Sequence, residues 1–163
     1  MENKPNRIIW HHSADGSKVA QAQKINEYHR SKGFPKSSLG LFGGYHFLIE
    51  HDGQLFQYRR ENEIGAHDAG ENINSIGVCL AGNFNIDLPT PAQEAKLAML
   101  LTLLVDTYHI PLDRIEPHRY NDITQCPGTK LPDNWAALIY AQARLTWLQK
   151  VLIALVKLIG RKV

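Results

Sequence analysis

The chain has 163 residues, 44% hydrophobic and 21% charged, the balance of a single globular domain. That composition sets aside disorder and collagen-like repeats, and two cysteines are too few for a disulfide framework. A net charge of +2 is too mild to point to nucleic acid, so no nucleic-acid partner is expected. The average hides a split, because residues 141–163 carry five basic and no acidic side chains, leaving residues 1–140 at −3.

Taken in chain order, Arg7–Trp10 is a short apolar run after a polar start and reads as a strand. Ser17–Lys32 has the pattern of an amphipathic helix, closed by Gly33 with Pro35 beyond it. Tyr45–Ile49 and Leu55–Tyr58 flank Asp52-Gly53, a strong hairpin signal. Asn74–Leu80 reads as a buried strand ended by Ala81-Gly82. Thr90-Pro91, with Gln93 following, marks the start of a helix to about His109. A strand around Arg114–Pro117, a loop to about Pro132 and a last helix from Asn134 to about Ile159 complete the order. This β-α-β-β-β-α-β-α order predicts an α/β fold with one mixed sheet of about five strands and helices packed on it.

The amino terminus has no apolar stretch of signal-peptide length, so synthesis in the cytoplasm is expected. The apolar run Val151–Val156 is far short of the roughly 20 residues that span a bilayer.

Eight histidines is a rich content, and several fall where strands should end. His11 and His12 follow the first strand, and His118 follows the strand near residues 114–117. Cys126 comes eight residues later, within a loop that runs on to Pro127-Gly128. Parallel strands would bring His11 and His118 to the same sheet edge, where open α/β sheets carry their sites. Two imidazoles and a thiolate form a three-ligand zinc set with one tetrahedral position open, the pattern of catalytic sites. Spacing alone leaves two other readings open. Strand-end histidines are often only hydrogen-bonded polar residues, and Cys126 can also be read as a nucleophile with His118 as its base. The second reading lacks a helix N-terminus to lower the thiol pKa.

The segments Trp10-His11-His12-Ser13-Ala14, Gly44-Tyr45-His46-Phe47, Gly65-Ala66-His67, Asn74-Ser75-Ile76-Gly77-Val78, Thr90-Pro91-Ala92-Gln93 and His118-x7-Cys126-Pro127-Gly128 occur in this order. Together they resemble the zinc-dependent N-acetylmuramoyl-L-alanine amidases of the second type, which include phage lysozyme-type amidases and animal peptidoglycan recognition proteins. The likeness runs from about Ile8 to Trp135. It implies one Zn²⁺ per chain held by His11, His118 and Cys126, with His12 the neighbour in a one-residue ambiguity. It implies catalytic roles for Tyr45 and Thr124, and a groove-lining role for His67. Asn74 is assigned to substrate binding as well, although a turn cap is the simpler reading of a residue that opens a strand. His46 is expected to be structural, His29, His51 and His109 to be solvated, and Cys79 to be a small buried apolar residue.

The resemblance implies hydrolysis of the amide between N-acetylmuramic acid and L-alanine in peptidoglycan. The expected setting is a phage or prophage endolysin that reaches the wall after release across the membrane. A cytosolic amidase recycling muropeptides and a non-catalytic wall-binding module are the rivals. Cys126 weighs against both, because recycling enzymes of this fold typically carry a carboxylate at that place and the non-catalytic relatives lack the cysteine.

Residues 1–140 are expected to form the catalytic domain and 141–163 a cationic amphipathic helix. At 100° per residue Lys150, Lys157 and Arg161 share a narrow arc, while Trp147 and a wide apolar face cover much of the rest. This is the pattern of an interfacial membrane binder, with Trp147, Lys150, Lys157 and Arg161 meeting an anionic bilayer or outer-membrane surface. Packing on the domain, or on a second subunit as an oligomer, is the alternative cover for that face.

Overall fold

The computed structural model describes residues 2–159, with side chains described as far as residue 152. Five strands, β1 (Arg7–His12), β2 (Phe47–Ile49), β3 (Leu55–Gln57), β4 (Ser75–Leu80) and β5 (Ile115–Pro117), form one sheet in the order β3-β2-β4-β1-β5. All neighbours are parallel except β2 and β3, which pair antiparallel across the Asp52-Gly53 turn. The mixed sheet and its flanking helices match the α/β expectation.

Strand alternation divides the core between the two faces. Ile8 and Trp10 of β1, Ile76, Val78 and Leu80 of β4, and Phe47 and Ile49 of β2 pack under the helices α2 (Pro91–Tyr108) and α3 (Trp135–Ile159). Trp10 meets Trp135 there, with ring centroids 5.2 Å apart. Leu48, Tyr58, Cys79 and Ala81 form a smaller cluster on the other face, against Ala22 and Ile25 of α1 (Ala22–Ser31).

Helix α1 begins five residues later than its pattern suggested. The Gln21 amide nitrogen donates to the carbonyls of Asp15 and Ser17, tying the preceding segment into a loop. The buried Glu50 carboxylate then accepts the Gln21 and Ala22 N–H groups, supplying the helix start from across the fold. Helix α2 starts as expected: Thr90 Oγ1 accepts the Gln93 N–H and Gln93 Oε1 accepts the Thr90 N–H, a reciprocal capping box. The Gln93 side chain also donates to the carbonyls of Ile49 and Ala81, so the same cap pins α2 to the sheet.

The expected boundary at residues 140 and 141 falls inside α3, which runs through it unbroken. Trp135, Ala136 and Tyr140 are buried against the sheet, whereas Leu145, Trp147, Leu148 and Leu152 are exposed. The tail is thus a continuation of a core helix. Among the described residues no helix is long and apolar enough to cross a membrane.

His29 differs from its expected solvated state. Its ring is buried, stacks on Phe34 at 4.4 Å, and accepts the Gly44 N–H through Nδ1. Burial, with Arg59 nearby, lowers its pKa to about 4. The unfolded chain binds this proton near pH 6.5 and the folded chain refuses it until about 4, so stability is complete above 6.5 and lost as pH falls through that window. The effect is on the order of 2 kcal/mol. The melting temperature of chelator-treated protein should therefore drop between pH 6.5 and 4, and His29→Gln should make that slope shallower. An unchanged slope would contradict the assignment.

Candidate metal and catalytic site

The candidate site lies at the carboxyl ends of the parallel strands β1 and β5, on the α1 side of the sheet. His11 and His12 end β1 and point to opposite faces. His11 turns to the α1 side, where one donor atom each from His11, His118 and Cys126 lie within 4.8 Å of one another. His11 Nδ1 is 3.7 Å from the Cys126 sulfur, and the two imidazole centroids are 4.4 Å apart. His12 faces the larger core instead, where its Nδ1 accepts the Phe84 N–H and its ring packs against Phe84. The structure therefore brings His11 to the cluster and leaves His12 out of it.

His118 opens a short 3₁₀ turn directly after β5. Cys126 is carried by the loop that follows, and Arg119 holds that loop in shape. The Arg119 guanidinium donates to the carbonyls of Gly128 and Leu131 and pairs with Asp133, while its backbone N–H donates to the Cys126 carbonyl. Nothing in the sequence pattern marks Arg119 for this task, because most of its partners are backbone carbonyls.

The donor set suits a cation. His118 Nδ1 is buried with no hydrogen-bond partner, and the facing nitrogen of His11 has only the Cys126 sulfur. Burial is the main cause that keeps His11 neutral, its pKa lying well below 6.5, with nearby His67 and His118 acting in the same direction. Burial also pushes the Cys126 thiol up to about 12, with the His12 carbonyl contact and Arg119 offsetting part of the rise. An unaided thiol in this position is a poor nucleophile near neutral pH. Two imidazoles and one thiol converging on a point form a donor set suited to Zn²⁺.

Tyr45 precedes β2 in a bend, the strand itself starting only at Phe47, and its ring lies 5.1 Å from that of His11. Burial raises its phenol pKa well above 10, so it is held as a proton donor. Thr124 Oγ1 accepts the Cys126 N–H at 3.1 Å, which ties it to the same loop and leaves its own hydroxyl proton free to donate.

His67 is buried beside His11, its Nδ1 3.2 Å from His11 Nε2, and so stands behind the cluster rather than along an open groove. Gly77 allows this approach, since a Cβ there would lie 2.4 Å from the His67 ring. Asn74 lies at the opposite end of β4, exposed and with φ of 65°, where its backbone N–H donates to Asn3 Oδ1 and its carbonyl accepts the Asn6 N–H. The structure thus gives Asn74 the turn position and does not bring it to the cluster. His46 is buried with both ring nitrogens on backbone partners, Gly77 N–H and the Glu63 carbonyl, a structural arrangement. His51 is half-buried on the Ser17 carbonyl, and His109 ends α2 in a left-handed conformation. Of the proposed membrane-facing residues, Trp147 and Lys150 are exposed on α3, whereas the side chain of Lys157 and all of Arg161 lie outside the described residues.

Asp68 has no recognisable sequence signal. Its side chain is fully buried, with Oδ1 3.7 Å from His118 Nε2 and Oδ2 accepting the Asn121 amide.

Comparison with known proteins agrees with this geometry. The family model described as N-acetylmuramoyl-L-alanine amidase matches residues 1–129. The chain is 34% identical over 125 residues to peptidoglycan-recognition protein SC2 of Drosophila melanogaster, covering 76% of this chain and 68% of that protein. It is 34% identical over 119 residues to the endolysin of Escherichia phage T7, covering 69% and 73% respectively. Among solved structures, the N-acetylmuramoyl-L-alanine amidase LysC from Clostridium intestinale superposes with a TM-score of 0.72 at 34% identity, over 87% of each chain. With four fifths of its length matched by the family model and the fold shared over 87% of it, the chain belongs to the N-acetylmuramoyl-L-alanine amidase family and is an enzyme of that type.

Proposed function

We propose that the protein is a zinc-dependent endolysin that cleaves the bond between N-acetylmuramic acid and L-alanine in bacterial peptidoglycan. The observation that carries this reading is the convergence of His11, His118 and Cys126 at the strand ends, within a chain of the amidase family. Those three side chains would hold the ion. When bound, the ion supplies Lewis acidity, polarising the scissile carbonyl and making water nucleophilic near neutral pH.

The remaining work falls to the protein. On this reading the Tyr45 phenol, kept protonated by burial and with its ring beside that of His11, would orient the attacking water and pass a proton to the departing L-alanine amine. On this reading the Thr124 hydroxyl, whose lone pair accepts the Cys126 N–H, would donate its proton to the oxygen on which negative charge develops. A threonine brings no fixed charge to that oxygen, so more of the stabilisation falls to the ion.

Digestion of purified peptidoglycan followed by mass spectrometry tests this reading. Stem peptides with a free L-alanine amine support it, and new reducing sugar ends or cleaved peptide bonds overturn it. Tight binding to an intact wall would select the recognition-module reading.

The tail deepens the endolysin reading. Met99 and Leu103 of α2 and Trp147 of α3 line an open, mostly apolar groove of about 700 Å³, and Leu148 and Leu152 of α3 are also exposed. Arg144 lies over the Trp147 ring at 5.4 Å, and segment 141–163 has no acidic residue. We infer that this surface inserts at an anionic bilayer, the chemistry that matches both its apolar area and its charge. Sedimentation with vesicles rich in phosphatidylglycerol should carry down wild type, and the double variant Trp147→Glu, Leu148→Glu should bind at least tenfold less. Equal binding by both would refute the lipid contact, and a concentration-dependent dimer without lipid would assign the face to a second subunit.

A further inference from the structure

The hydrogen bonds around the cluster fix more than its three donors. Ser75 Oγ donates its proton to the Glu71 carbonyl at 2.6 Å, so toward His67 Nε2, at 3.4 Å, it can only accept. His67 Nε2 therefore carries the ring proton, and His67 Nδ1 is an acceptor. Its neighbour at 3.2 Å, His11 Nε2, must then be the donor, which leaves the lone pair of His11 on Nδ1, facing Cys126.

The second histidine is set in the same way by the next residue in sequence. A carboxylate only accepts, so Asp68 Oδ1, buried with no closer partner and 3.7 Å from His118 Nε2, favours the proton on that nitrogen; the exposed Asp122 Oδ2, 3.9 Å from the same atom, acts in the same direction but is screened by solvent. The lone pair of His118 then lies on Nδ1, the buried atom with no partner. One short segment thus addresses both rings. The backbone N–H groups of His67 and Asp68 both donate to Asn72 Oδ1, at 2.7 and 3.1 Å, and Asn121 holds the other Asp68 oxygen at 3.0 Å.

We propose that the dipeptide His67-Asp68 is the orienting clamp of both cluster histidines, and that Asp68 is the positioning residue that presents His118 Nδ1 to the ion. The proposal rests on the metal-site reading above. Outer partners of this kind fix ligand tautomer and ring angle, and their loss costs about 10–100-fold in metal affinity. The Asp68 oxygen that faces His118 has no donor and so does not stabilise the metal-free fold; replacing Asp68 costs that fold only the Asn121 contact of the other oxygen.

The test is Zn²⁺ affinity by competition with a chelating dye, on wild type, Cys126→Ser, Asp68→Ala and Asp68→Asn, with the melting temperature of each metal-free protein. Wild type should bind one ion and Cys126→Ser should not. Failure of that pair would overturn the metal site itself, independently of the clamp. Given that pair, Asp68→Ala should bind 10–100-fold more weakly, with a metal-free melting temperature lowered by no more than about 4 °C, the scale of the one Asn121 hydrogen bond lost. Asp68→Asn, whose amide oxygen can still face Nε2, should recover most of the affinity. Affinity within twofold of wild type for Asp68→Ala, or a melting temperature that falls in step with affinity in both variants, overturns the clamp. Nitrogen-15 NMR of the metal-free wild type gives a second check: His118 protonated on Nε2 supports the proposal, and protonation on Nδ1 refutes it.

Discussion

Cys126→Ser is expected to lower amide hydrolysis by about 10³-fold or more, the scale of losing a metal's stabilisation of transition-state charge. Serine is close in size to cysteine, but its hydroxyl does not ionise near neutral pH and so makes a poor zinc ligand. The loop should survive the change. Its contacts at this position are backbone ones: the Cys126 N–H donates to Thr124 and the carbonyl accepts from Arg119. The metal-free melting temperature should accordingly move little. Wild type stripped with a chelator should fall to the activity of Cys126→Ser, and added Zn²⁺ should restore wild type alone. A chelated wild type that stays active, yet is silenced by a thiol-alkylating reagent, would return Cys126 to the role of nucleophile.

Tyr45→Phe should lower kcat by about 10²–10⁴-fold, the range for loss of a positioned proton donor. KM should change much less, because the ring that packs 5.1 Å from His11 is retained. Stability should be nearly unaffected for the same reason. Burial keeps the wild-type phenol protonated well past pH 10, so this residue should impose no fall in activity on the alkaline side below that pH. Steady-state kinetics on soluble peptidoglycan fragments at pH 6 to 10 checks both statements. A variant with kcat within threefold of wild type would remove Tyr45 from the chemistry.

The two predictions separate different contributions. Cys126 tests whether the cluster holds the ion that drives the reaction. Tyr45 tests whether the protein adds proton transfer beyond it. Asp68 probes a third layer, which acts on neither substrate nor ion directly but on the angle and tautomer of a ligand.

Much of this protein is determined by local sequence chemistry. Apolar runs set β1 and β4, Asp52-Gly53 sets the hairpin, and Thr90 with Gln93 sets the start of α2. The ordered motifs place the chain in its family, and they single out His11, His118 and Cys126 because those residues end strands or follow them by a short loop. Other features depend on partners distant in sequence, and no local pattern carries them. The start of α1 is set by Glu50, 28 residues beyond Ala22. His29 is buried because its neighbours include Phe34 and the Gly44 N–H, brought together only on folding. His67 could be named from its motif, but its place behind His11 depends on Gly77 of the neighbouring strand leaving room for the ring. Asp68, 50 residues before His118, is an ordinary loop aspartate in sequence, and becomes a buried neighbour of the His118 ring only when the 65–72 loop packs against the turn after β5. Sequence thus determined which donors this protein has, and tertiary structure decided which nitrogen each donor presents, because a tautomer is set by the partner on the far side of the ring.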